Sequence, residues 1–132
     1  MTPVANEIMA LATFCLAQNV YFEARGESIR GQYLVAMTTL NRANYDPNQV
    51  CGVVFKPKQF SWTKQRRGLR IHDVNAWGWA HHVAQHSWTH KDETRGSTHY
   101  HATYIPKPDW AYKMEPTIRV GQHQFYCCEK QK

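Results

Sequence analysis

The sequence predicts an α+β, mainly α fold, a helical domain carrying a small antiparallel β-sheet. Three observations predict it. Up to Phe55, apolar residues recur every three to four positions among many alanines, the pattern of helix faces. From Thr98 to Ile105 the period drops to two, the pattern of a strand. Near the C-terminus, Gly121-Gln122 separates Ile118 and Val120 from Phe125 and Tyr126, as a hairpin turn would. A length of 132 residues makes this one domain, residues 1–132, with one hydrophobic core.

The elements follow in order. Val4, Ile8, Leu11, Cys15 and Phe22 share one helical face, so a first helix runs from about Val4 to Ala24, and Gly26 stops it. Ser28 opens a second helix, with Leu34, Val35, Met37, Thr38 and Leu40 on its apolar side, ending near Asn44. Pro47 restarts the chain, and a short helix over Asn48–Phe55 carries Val50, Val53 and Val54. Gln59-Phe60-Ser61-Trp62 alternates like a short strand, and a basic loop with Lys64, Arg66, Arg67 and Arg70 follows. Asp73 reads as the N-cap of a fourth helix with a buried stripe of Val74, Trp77, His81, Ala84 and Trp88. On the strand after it, Tyr100, Ala102 and Tyr104 share one side, and His99, His101 and Thr103 the other. Pro106, Pro108 and Pro116 mark an irregular connection into the hairpin.

Composition bounds the function. Hydrophobic residues make up 42% and charged residues 20%, which excludes a disordered chain. Five Trp and seven Tyr favour a surface that binds sugars or bases, against simple core packing. The net charge of +6 attracts polyanions: nucleic acid, anionic membranes or the acidic bacterial wall. Met1–Phe14 lacks the basic flank and cleavage site of a signal peptide, and no apolar run is long enough to span a bilayer. The expectation is a chain made in a cytoplasm without a membrane segment. Cys15, Cys51, Cys127 and Cys128 show no zinc spacing and read as mostly buried, reduced thiols, with a bridge from Cys51 to Cys127 or Cys128 as the alternative in an oxidising space.

The chemistry concentrates in Asn19–Gly31. Glu23 ends an apolar helical segment between Tyr21-Phe22 and Ala24, followed at once by Gly26, Ser28 and Gly31. Burial against aromatic surface disfavours the charged carboxylate and raises its pKa. A carboxyl group still protonated near neutral pH is what a general acid requires. The competing reading is a solvent-facing glutamate at a helix end.

These residues also carry a resemblance. Tyr21-Phe22-Glu23-Ala24-Arg25-Gly26-Glu27, Gly31 and Leu40-Asn41-Arg42 resemble the opening of the SleB/CwlJ-type cell-wall hydrolases, the spore-cortex-lytic family. The likeness continues through Val50-Cys51-Gly52-Val53-Val54 and Gln59-Phe60-Ser61-Trp62. It returns at Tyr100-His101-Ala102, Pro108-Asp109-Trp110-Ala111 and Gly121 to Tyr126. Several blocks in the family's order are far more specific than one. The resemblance implies a lysozyme-like helical fold and cleavage of peptidoglycan glycan strands, with Glu23 as catalytic acid and the sugar in a groove floored by the small sheet. It implies neither metal nor other cofactor. Without an export signal or wall-binding domain, the chain looks more like a phage endolysin, released to the wall from the host cytoplasm and acting as a monomer.

A lytic transglycosylase needs one carboxylate; a muramidase usually needs a second about 5 to 9.5 Å away. The candidates are Glu27, Asp46, Asp73 and Asp109. Glu27 is the possible second carboxylate, one helical turn beyond Glu23, but Gly26 breaks that turn and a charge suited to the start of the second helix is the preferred reading. The absence of a convincing partner favours the transglycosylase. Gln59, Phe60, Ser61 and Trp62 are placed at the groove, and Tyr100, His101 and Trp110 are candidates for sugar stacking and hydrogen bonding, with core packing as their bland reading.

Two rivals remain. His82, His86 and His90 are four apart on one helix face, and His99 and His101 share a strand face. Together they suggest a zinc-dependent N-acetylmuramoyl-L-alanine amidase, against a plain wet helix face. No acid-plus-two-histidine zincin signature supports it. Arg66, Arg67 and Arg70 near Trp62 suggest a nucleic-acid patch. Attraction to the anionic wall explains the same charges better, so no nucleic-acid partner is expected.

Overall fold

The computed structural model describes residues 3–56 and 70–131, with side chains from residue 5 onward. The predicted strand Gln59–Trp62 and the arginines Arg66 and Arg67 lie outside the described residues. Within them are four α-helices, α1 (Pro3–Ala24), α2 (Ile29–Arg42), α3 (Pro47–Val54) and α4 (Val74–Ser87). Three strands follow, β1 (His99–Ala102), β2 (Met114–Val120) and β3 (His123–Glu129), with a 3-10 turn at Asp109–Lys113 before β2. The α+β, mainly α class is as the sequence predicts.

α1 is the central helix and packs on each of the other three. Its C-terminal half is therefore buried nearly all round: Leu16, Ala17, Asn19, Val20 and Tyr21 have no exposed surface. The predicted face is corrected here. Leu11 is 60% exposed, and the inward residues are Ala12, Cys15 and Leu16. The α4 stripe is rotated in the same way. Val74 is 79% exposed, while Ala80, Val83, Ala84 and Ser87 face inward and Trp77, His81 and Trp88 are half-buried. Small residues let α4 approach α1 closely, so the contact selected them over the bulkier positions the apolar spacing favoured.

Ser28 and Asp73 cap as the sequence reading has them, and Asp46 caps as well. The Ser28 hydroxyl accepts from the Gly31 amide at 3.1 Å, the Asp73 carboxylate from Ala76 at 3.0 Å and the Asp46 carboxylate from Asn48 at 2.9 Å. Each satisfies an amide that its helix leaves unpaired. α4 has a second anchor, because the buried Tyr21 hydroxyl accepts from the amides of His72 and Asp73 at 3.3 and 3.1 Å.

The sheet is antiparallel with order β1-β3-β2. Tyr100 pairs with Phe125 and His101 with Gln124, so Tyr100 and Phe125 share the helix-facing side. Fully buried Phe125 joins the helical core and ties the sheet to it. Pro116, expected in an irregular connection, belongs to edge strand β2 at a break in register, where a missing amide hydrogen is tolerated.

The cysteines correct both readings made from sequence. Cys15 on α1 is bonded to Cys51 on α3, with Cα atoms 5.3 Å apart, and Cys127 is bonded to its neighbour Cys128. The packing of α1 on α3 creates the first pair, which spacing along the chain does not reveal.

Candidate functional site

Glu23 is the penultimate residue of α1. The chain then reverses within a few residues: the Arg25 amide donates to Tyr21 O at 3.2 Å and the Glu27 amide to Ala24 O at 2.9 Å, and Ser28 caps α2. This corner places Glu23 beside the end of the β2–β3 hairpin. A cavity of about 190 Å³ lies there, lined by Phe22 to Glu27, Tyr104, Gln122 and His123. It is framed by the hairpin turn and the α1–α2 corner.

Burial pushes the Glu23 carboxyl from its ordinary 4.5 up to about 7. The negative end of the α1 dipole acts in the same direction. Tyr100 reaches the same place from β1. Burial and then the charge of Glu23 push its phenol well above its ordinary value. Its hydroxyl accepts from Asn19 Nδ2 at 3.5 Å, and Asn19 Nδ2 also donates to Thr39 Oγ1 at 3.0 Å. Buried Asn19 Oδ1 has no hydrogen-bond partner. A polar line thus runs from α2 through α1 to Tyr100, which lies within electrostatic reach of Glu23.

Glu27 lines the cavity as well, but it is engaged. Its Oε1 accepts from the Gln122 amide at 2.8 Å and lies 3.5 Å from His123 Nδ1. Burial holds the His123 pKa below its ordinary value, opposed by Glu27. The other carboxylates considered from sequence are elsewhere: Asp46 and Asp73 cap α3 and α4, and Asp109 begins the 3-10 turn.

The sugar-binding candidates divide. Tyr100 faces Glu23. His101 and Trp110 lie away from it and pack together with Tyr126. His101 alternates with Tyr100, so it points to the outer side of the sheet. There its Nε2 lies 2.8 Å from the Tyr126 hydroxyl, and its ring contacts Tyr126 and Trp110 at 5.3 and 5.9 Å. Gln59, Phe60, Ser61 and Trp62 lie outside the described residues. Sequence reasoning missed Asn19, Tyr104, Gln122 and His123 as site residues. Tyr104, 75% exposed at the cavity, was legible as a strand-face partner of Tyr100. Asn19 lies one helical turn before Glu23 on α1, whereas Gln122 and His123 are brought in by folding across the length of the chain.

The histidine rows do not assemble. The His82 and His86 rings lie 4.3 Å apart and tilted on α4, but the helix ends at Ser87 and the His90 ring packs, tilted, 4.7 Å from Tyr33. His99 packs on Trp110 at 5.2 Å, and burial followed by the charge of Arg42 depresses its pKa to about 4. Among the described residues no three His, Cys, Asp or Glu side chains converge as a metal site.

Residues 26–126 match the Cell Wall Hydrolase family, and the chain belongs to that family. It is 52% identical over 126 residues to a spore cortex-lytic enzyme of Bacillus subtilis, covering 86% of this chain and 36% of the relative. It is 31% identical over 112 residues to the spore cortex-lytic enzyme of Halalkalibacterium halodurans, covering 83% of this chain and 33% of that protein. The chain thus spans about a third of the length of these relatives. Its fold is similar to the catalytic domain of the Bacillus cereus SleB protein, with a TM-score of 0.70 and 26% identity over 89% of each chain. It is also similar to the catalytic domain of the germination-specific lytic transglycosylase SleB from Bacillus anthracis, with a TM-score of 0.71 and 26% identity, covering 89% of this chain and 93% of that one.

Proposed function

We propose that the chain cleaves the glycan backbone of peptidoglycan between N-acetylmuramic acid and N-acetylglucosamine as a lytic transglycosylase, with Glu23 as both acid and base. The observation that carries this reading is a single carboxyl group held near a pKa of 7 at a cavity where the neighbouring carboxylate, Glu27, is occupied by the hairpin. Family membership and the similarity to the germination-specific lytic transglycosylase of Bacillus anthracis support it.

Protonated Glu23 donates its proton to the glycosidic oxygen as the bond to the muramic acid C1 breaks. The departing sugar leaves as an alcohol, and C1 acquires oxocarbenium character. The muramic acid 6-hydroxyl oxygen then bonds to C1, and its proton returns to Glu23. The product ends in a 1,6-anhydro ring, and the enzyme is regenerated without water or metal. On this reading the exposed Tyr104 ring, which lines the cavity, holds the sugar, Tyr100 supports it from beneath, and Gln59 to Trp62 keep the groove role that the resemblance implies. A hydrolysing muramidase would instead require a carboxylate free to activate water.

Mass spectrometry of digested peptidoglycan tests the reading. A 1,6-anhydro end is the expected product. A reducing end would make the enzyme a muramidase, and loose peptides with intact glycan would make it an amidase. The biological setting we propose is a phage endolysin acting on the host wall after release from the cytoplasm. Expression in a host with and without a co-expressed membrane pore tests that setting: lysis only with the pore is expected, and lysis without it would refute it.

A further inference from the structure

We infer that Glu27 is a positioning residue: its carboxylate latches the β2–β3 turn onto the α1–α2 corner and so holds the wall of the Glu23 cavity that grips the glycan. The grip rests on the proposed glycosidase reading; the latch itself does not.

Four observations converge on this role. Glu27 and Gln122 are 95 residues apart, yet Glu27 Oε1 accepts from the Gln122 amide at 2.8 Å. Hydrogen bonds to an ionised acceptor are stronger than those between neutral groups. The same oxygen faces buried His123 Nδ1 at 3.5 Å. Glu27 is braced on its own side, because its amide donates to Ala24 O at 2.9 Å and its carbonyl accepts from Gln32 Nε2 at 3.3 Å. Two glycines make room for it. A Cβ at Gly31 would lie 3.2 Å from Glu27 Cβ, and a Cβ at Gly121 would collide with the carboxylate. Gly121 also has a φ of +57°, which favours glycine at the turn. Gln122 and His123 in turn line the cavity opposite Glu23. Glu27 therefore acts on the site through the hairpin and takes no part in proton transfer.

The test compares Glu27→Ala, Glu27→Gln and Gly121→Ala in the full chain. Amide hydrogen exchange at Gln122 reads the latch, and kcat, KM and the pH profile on peptidoglycan read its effect. Losing one charge-assisted hydrogen bond should speed exchange at Gln122 in Glu27→Ala on the order of 10-fold. KM should rise by roughly the same factor, with kcat and the Glu23 pH profile little changed. Glu27→Gln keeps an oxygen acceptor and should recover most of both losses. Gly121→Ala should reproduce Glu27→Ala, and adding it to Glu27→Ala should raise KM little further, since the two act on one contact. The proposal is overturned if Glu27→Ala leaves exchange unchanged. It is equally overturned if both Glu27 variants lose kcat as fully as Glu23→Gln, which would make Glu27 a reacting group. Were the wild-type chain inactive on peptidoglycan, the glycosidase reading would fall while exchange at Gln122 still decided the latch.

Discussion

Burial of the end of α1 raises the Glu23 pKa to about 7, and that placement has two measurable consequences. Catalysis by the acid form should fall as pH rises through about 7, so the rate profile should show a descending limb there. Stability should change in the opposite sense to a salt-bridged carboxylate. The unfolded chain loses this proton near pH 4.5, whereas the folded chain retains it to about 7. Folding is therefore progressively penalised between those values, and the penalty stays constant above them. Glu23→Gln removes it. The variant should be more stable than wild type above pH 7 by about 3 kcal/mol, at ~1.4 kcal/mol per pKa unit. Below pH 4.5 the two should match. Denaturant unfolding across pH checks this, and the same variant should lose nearly all lysis. At this scale the corner position of Glu23 was legible, since its aromatic flank and the turn that follows are local. The commitment of Glu27 to Gln122 was not, because its partner is far along the chain.

Helices and strands were set mostly by local signals, and their packing was not. Ser28, Asp46 and Asp73 cap where capping chemistry places them. Asp73→Ala should cost about 1 kcal/mol, read as a lower unfolding midpoint, because α4 loses its N-cap bond. The alternation of Tyr100 and His101 was also readable, but not which side would meet Glu23. That required β1 to pair with β3, whose Phe125 enters the helical core. Leu11 and Val74 misled for a related reason: helix faces are chosen by partners, and α1–α4 contact favours small residues. The Cys15–Cys51 bond closes a separation of 36 residues between α1 and α3. Replacing both cysteines with alanine should destabilise the fold by roughly 3–4 kcal/mol on the loop-closure model, read in non-reducing denaturant titration.

Across the whole molecule, charge and chemistry separate. The net charge of +6 favours approach to an anionic wall, an attraction that salt screens. Raising ionic strength should therefore weaken binding to intact wall more than it slows turnover of short soluble glycan. EDTA should leave activity unchanged, because the proposed reaction passes through Glu23 alone. Loss of activity in EDTA would return attention to the amidase reading.

Composition, helical and strand periodicity, capping residues and the Tyr21–Glu27 stretch determined the fold class, the order of elements and the position of Glu23 at the corner, because each depends on neighbours within a few residues. Tertiary structure alone decided which carboxylate is free, which side of β1 meets the site, and which cysteines pair. Those outcomes depend on contacts between segments remote in sequence, and the burial that moves the Glu23 pKa exists only once α1, β1 and the β2–β3 turn close around it.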